Sequence, residues 1–99
     1  MNYDKLYSNG IPRYVKVYEV KKNPPMDRYT IIFTHLNWIG KEYIGKTAYI
    51  GSGKDPRGIS YSELRDYGSV GGLGTRITWE ELPEAVQKMA DEYYRDLWG

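Results

Sequence analysis

The chain has 99 residues, 40% of them hydrophobic, no Cys, and 14 Lys and Arg against 13 Asp and Glu, for a net charge of +1. That length suits one domain with a single modest core. The composition excludes disulfides, thiolate nucleophiles and Cys-ligated zinc, and its near-neutral balance lacks the basic footprint of a duplex-DNA binder.

No apolar run approaches the length of a membrane helix, and the start, Met1-Asn2-Tyr3-Asp4-Lys5, lacks the apolar stretch of a signal peptide. These features set the expectation of a soluble cytoplasmic protein with no membrane partner. The aromatic set is Tyr 11, Trp 3 and Phe 1, so nearly every ring carries a polar handle suited to half-buried surfaces and stacking walls. Charge is uneven. Residues 1–50 hold eight Lys and Arg against four Asp and Glu, and residues 77–99 hold two against six. A solvated basic sheet face and a solvated acidic helix face account for this.

In chain order, residues 1–13 read as an N-terminal arm. Tyr14-Val15-Lys16-Val17-Tyr18-Glu19-Val20 alternates and predicts a half-buried strand, with Val15, Val17 and Glu19 on one face and Tyr14, Lys16, Tyr18 and Val20 on the other. Asn23-Pro24-Pro25 marks a turn, and Arg28 to Thr34 predicts a hairpin partner whose continuous apolar centre makes it the central strand. Residues 35–45 read as a loop or short hairpin, and Thr47 to Ile50 as a third strand. Residues 51–74 hold seven of the eleven Gly and read as a long Gly-rich loop, with one helical turn at Ser60 to Arg65. Residues 75–98 close the domain. There Thr78 and Glu81 form a capping-box pattern and Pro83 suits a first helical turn, while Leu82, Val86, Met89, Ala90, Tyr93 and Leu97 recur at helical spacing. The fold class is α+β: a small, mainly antiparallel sheet with one long C-terminal helix packed on it.

Gly40 to Thr47 fits the phosphate-loop pattern G-x-x-x-x-G-K-[ST]. The pattern functions only where a helix follows, so that backbone N–H groups and the helix N-terminus cradle phosphates. Here Ala48-Tyr49-Ile50 continues as a strand and Gly51, Gly53 and Pro56 break any helix, so a nucleotide-hydrolysing enzyme using Lys46 is a minor alternative. His35 is the one histidine, without Cys or a second His to complete a metal site. Neither the scattered Ser residues nor Glu80-Glu81 makes a nucleophile or acid–base constellation, and a non-catalytic protein without cofactor is expected.

Three segments carry a resemblance: Asp27-Arg28-Tyr29-Thr30, Tyr49-Ile50-Gly51-Ser52, and Leu73 to Pro83 followed by Val86-Gln87. Together they resemble a family of small accessory proteins encoded by phages and other mobile elements. Members pair an Asp-Arg-Tyr-Thr strand with a Gly-rich middle loop, a Leu-Gly-x-Arg-Ile segment and a Leu-Pro helix start. This chain's middle loop, Gly53 to Gly58, lacks the His found in such proteins. The resemblance implies a phage-type accessory protein, with an anti-defence role in the host cytoplasm.

The Gly-rich middle supplies the candidate ligand site: Lys46, Lys54, Arg57, Tyr61, Arg65, Tyr67 and Arg76. Cations neutralise phosphate, tyrosines stack on bases, and glycines let backbone N–H groups approach an anion. The expectation is sequestration of a nucleotide-like phosphorylated signalling ligand by a homo-oligomer. The alternative partner is a host defence protein, such as a nuclease inhibited in the manner of an anti-CRISPR.

Overall fold

A computed structural model describes residues 6–34, 46–52, 55, 57–66 and 72–98. Five strands form one antiparallel sheet: β3 (Val15–Glu19), β4 (Tyr29–Phe33), β5 (Lys46–Gly51), β6 (Tyr61–Asp66) and β7 (Thr75–Ile77), in the order β6-β5-β4-β3-β7. A two-stranded ribbon, β1 (Tyr7–Ser8) with β2 (Ile11–Pro12), precedes it, and the helix α1 (Glu84–Trp98) ends the chain. The fold is therefore α+β with a single helix on a sheet, and β4 is the central strand, as its apolar run predicts.

Pairing fixes which side chains share a face. Val17 pairs with Ile31 and Ile77, Ile31 with Ala48, and Ala48 with Leu64; Tyr29 pairs with Ile50 and Phe33 with Lys46. Paired residues point to the same side of an antiparallel sheet. The apolar members of these rows therefore form one face, against which α1 packs Val86, Ala90 and Tyr94, all fully buried, with Met89, Tyr93 and Leu97 partly buried beside them. The Tyr93 hydroxyl reaches Ser62 of β6 at 2.8 Å, which places the helix over that end of the sheet.

Three local expectations change. Where a helical turn is expected at Ser60 to Arg65, the chain forms the edge strand β6 (Tyr61–Asp66), because Tyr61-Ser62-Glu63-Leu64-Arg65 alternates and β5 offers it a partner along six residues. The N-terminal arm is a ribbon tied to the core: Leu6 is fully buried, and its carbonyl accepts hydrogen bonds from Tyr94 Oη and Arg13 N–H, each at 2.9 Å. At residue 78 the Glu81 carboxylate accepts from the Thr78 N–H at 3.3 Å, but this box opens a single 3₁₀ turn, Trp79–Glu81. Pro83 disfavours helical backbone at the residue before it, so Leu82 is extended (φ −69°, ψ 141°) and α1 starts afresh at Glu84. The expected loop or hairpin over 35–45 lies outside the described residues.

Gly74 has a structural reason to be glycine. Its φ is +87°, and a Cβ there would lie 2.4 Å from the Glu19 carbonyl oxygen. Glycine alone allows the chain to turn that close to β3 before β7 pairs with it.

Candidate functional site

The alternate residues of the same strands form the second face. One register row crosses all five strands as Arg76, Tyr18, Thr30, Tyr49 and Glu63, and the next runs Lys16, Ile32, Thr47 and Arg65. Beyond them Tyr61 pairs with Gly51, over which its ring lies, since a Cβ at Gly51 would meet two ring carbons. Lys16, Arg65 and Arg76 are exposed, Tyr18, Tyr49 and Tyr61 are half-buried, and Thr30, Ile32 and Thr47 between them are buried. The helix α1 packs on the other face.

The side chains on it are partly organised. The Arg76 guanidinium stands over the Tyr18 ring at 5.7 Å, within cation–π range. Arg65 pairs with Glu63 at 2.9 Å, both exposed, an arrangement worth little in water and open to exchange for a phosphate. The Tyr61 hydroxyl is held above its ordinary titration range, first by burial and then by Asp27 and Glu63, so it stays a neutral hydrogen-bonding phenol.

The structure separates the seven residues expected at a ligand site. Tyr61, Arg65 and Arg76 share the helix-free face. Lys46 pairs with Phe33 in a row on the helix side, so it belongs to the opposite surface. Lys46 and Thr47 also begin strand β5, and the helix that a phosphate loop requires does not follow them. Lys54 and Tyr67 lie outside the described residues. Arg57 stands apart, its N–H bonded to the Asp55 carboxylate at 2.9 Å. It lines a cavity of about 590 Å³ with Glu19, Arg28, Tyr29 and the start of α1.

That cavity is poorly suited to phosphate. Glu19, Glu81 and Glu84 face two arginines, and Arg28 is already committed: its Nε and Nη2 both lie 2.8 Å from one Glu19 oxygen, with both side chains largely buried. An anion there meets more like charge than opposite charge. Among the described residues no group of three His, Asp or Glu is placed to hold a metal ion.

Tyr49, one of the tyrosines that alternate with the cations of the Gly-rich middle, stands on the helix-free face; Lys16 and Tyr18 stand there too, and sequence reasoning did not assign these two to a site. The signal was present in the alternation of residues 14–20, which puts Lys16 and Tyr18 together. Which of the two faces the helix would cover was not readable from that segment alone. Comparison with known protein families, with curated proteins and with solved structures finds no match for this chain.

Proposed function

We propose that this chain is a non-catalytic binding protein, of the phage accessory type its motifs resemble, which captures a nucleotide-like phosphorylated ligand on the helix-free face of its sheet. The observation that carries the reading is the shared face of Tyr61, Arg65 and Arg76 with Tyr18 and Lys16, which sets ring surface beside exposed cations. Tyrosine faces stack on bases without needing a particular base, and guanidinium groups take phosphate oxygens. In a cell, such capture would withhold the ligand from a host defence pathway.

The test is a thermal-shift screen with cyclic and linear nucleotides, followed by calorimetric titration of the hits. A ligand at about one hundred times its Kd stabilises the fold by about 2.7 kcal/mol, a readable rise in Tm. Tyr61→Ala and Arg65→Ala should each weaken binding about tenfold or more, while moving the Tm of the free protein by only a few degrees. A screen in which no nucleotide raises Tm would remove this reading and shift weight to a protein partner.

A further inference from the structure

The sheet has two edges, and they differ in what a second copy of the chain would meet. β7 is three residues long, whereas β6 runs for six, Tyr61–Asp66, and pairs on one side only, with β5. Which of its backbone groups face outward follows from hydrogen-bond alternation. The Val20 N–H donates to the Arg28 carbonyl at 3.0 Å and the Thr34 N–H to the Tyr14 carbonyl at 2.9 Å, so β3 and β4 bond through their even-numbered residues. Backbone groups of successive residues point to opposite sides of a strand. The odd-numbered residues of β4 therefore bond to β5, as Ile31 does to Ala48, and the alternate residues of β5 bond to β6, Thr47 to Arg65 and Tyr49 to Glu63. That leaves the N–H and C=O of Ser62, Leu64 and Asp66 directed to the outer edge, where no described strand takes them.

Unpaired edge groups are a template for another strand. We infer that β6 pairs antiparallel with β6 of a second copy of this chain, with Leu64 at the two-fold axis, joining the two sheets edge to edge. Charge selects both this occupant and this register. Outward-facing residues must oppose one another, so Leu64 meets the partner's Leu64 and Ser62 meets the partner's Asp66 in hydrogen-bonded pairs. Glu63 then stands opposite the partner's Arg65, and Arg65 opposite the partner's Glu63. These are non-hydrogen-bonded positions, where Cα atoms approach to about 4.5 Å and side chains lie closest. The neighbouring symmetric registers would set Glu63 against Glu63 or Arg65 against Arg65, which is repulsive. Glu63 and Arg65 are both exposed and already pair within one chain at 2.9 Å. Two such pairs meeting in opposite order close a square of alternating charge, a network where each exposed pair alone is worth little. On the helix side the axis brings together the two half-buried Leu64 side chains, which pack at the margin of the core. The other edge offers no such match: the outward-facing residue of β7 is Arg76, and symmetric pairing there opposes two arginines. The pairing is a property of the free chain and does not depend on the ligand proposed above.

Sedimentation equilibrium of the whole chain, without ligand and at concentrations up to about 1 mM, tests this pairing. A strand pair alone buries less than the about 1,200–2,000 Å² of a stable interface, so the expected association is weak. The mass should rise from one chain to two and stop there, because an isologous contact closes on itself. Glu63→Arg and Arg65→Glu should each weaken association about tenfold or more, since each sets like charges opposite one another on both sides of the axis. An equimolar mixture of the two variants should recover it as a mixed dimer, because the two chains then carry opposite charge at both positions. A variant that failed to fold could not give that recovery. Lys88→Glu, on the exposed side of α1, should change nothing. Amide exchange read residue by residue checks the parity: the Ser62, Leu64 and Asp66 N–H groups should gain protection as concentration rises, while those of Glu63 and Arg65, bonded to β5, are protected throughout. A mass of one chain even at about 1 mM, or a mass that climbs past two chains, would overturn the pairing. So would variants that associate as well alone as mixed, or concentration-dependent protection at Glu63 and Arg65 in place of Ser62 and Leu64.

Discussion

The two faces of the sheet are built from the same five strands, yet they are different materials. On the helix side, Val17, Ile31, Phe33, Ala48, Ile50 and Ile77 meet Leu6, Leu82, Val86, Ala90 and Tyr94 in one continuous core. On the other side, the intervening residues are threonines and one isoleucine along the middle, with tyrosines and cations toward the edges. Side chains alternate with a period of two, so a slip of one residue in any strand would exchange the surfaces. The core face therefore fixes register and stability, and the opposite face can carry binding chemistry at small cost to the fold.

The strongest way to break that division is to place a charge in the core face. Val86 is fully buried between α1 and the sheet, so Val86→Asp puts a carboxylate where no described partner awaits it. The cost is several kcal/mol, a large part of the about 5–15 kcal/mol that holds a domain together. Circular dichroism and urea titration should show loss of the cooperative transition. Met89→Asp should be milder, because Met89 is only partly buried; sequence spacing alone ranks the two alike. Lys16→Asp, on the opposite face, should change stability by about 0.5 kcal/mol or less. A Lys16→Asp protein as unstable as Val86→Asp would end the distinction between a structural and a functional face.

A smaller effect sharpens the core side. Tyr94 packs against Phe33 at 6.0 Å between ring centroids and meets Tyr7 edge-on at 5.5 Å, and its hydroxyl donates to the Leu6 carbonyl. Tyr94→Ala removes the ring and should cost about 3–5 kcal/mol. Tyr94→Phe keeps the ring, and the Leu6 carbonyl still accepts from Arg13, so about 1 kcal/mol is expected. Equal losses in urea melts would mean that the hydroxyl, and not the ring, ties the N-terminal ribbon to the core.

Much of this architecture was legible because its signals are local. Residues 15–19 and 29–33 declare themselves by β-branched and aromatic alternation or by a continuous apolar run, and α1 by its 3.6-residue stripe. What escaped depends on partners distant in sequence. Residues 61–66 form a strand because β5 lies beside them, and their surrounding glycines read as loop. Leu6 is a core residue because the Tyr94 hydroxyl, 88 positions away, holds its carbonyl. Spacing also set Tyr93 in the main stripe, whereas Tyr94 is the fully buried residue of the two. The same limit applies to the site: composition gathered Lys46, Arg57, Arg65 and Arg76 together, and only strand parity and edge position separate them.

The smallest expected effect concerns pH and the joint between the N-terminal ribbon and α1. The Tyr7 hydroxyl donates to the Asp91 carboxylate, which also accepts from Arg95 Nε at 3.0 Å. Burial first, and then the Asp91 acceptor, raise the Tyr7 phenol from the usual 10.0 to about 12. The folded chain thus favours the neutral phenol. Its contribution is fully present below pH 10, where both states keep the proton, and is lost as pH rises through about 12, because the unfolded chain ionises first. Tyr29 and Tyr94 shift in the same direction through burial, so wild type should lose stability over this range for several reasons at once. Tyr7→Phe deletes one of them: its unfolding midpoint should fall less steeply with pH than that of wild type, from a neutral-pH value lower by about 0.5–1.5 kcal/mol. Urea midpoints measured across the alkaline range separate the two slopes. Parallel curves would show that the bond to Asp91 does not hold the ribbon in solution, and would leave the buried Leu6 and Tyr94 as the anchors of that joint.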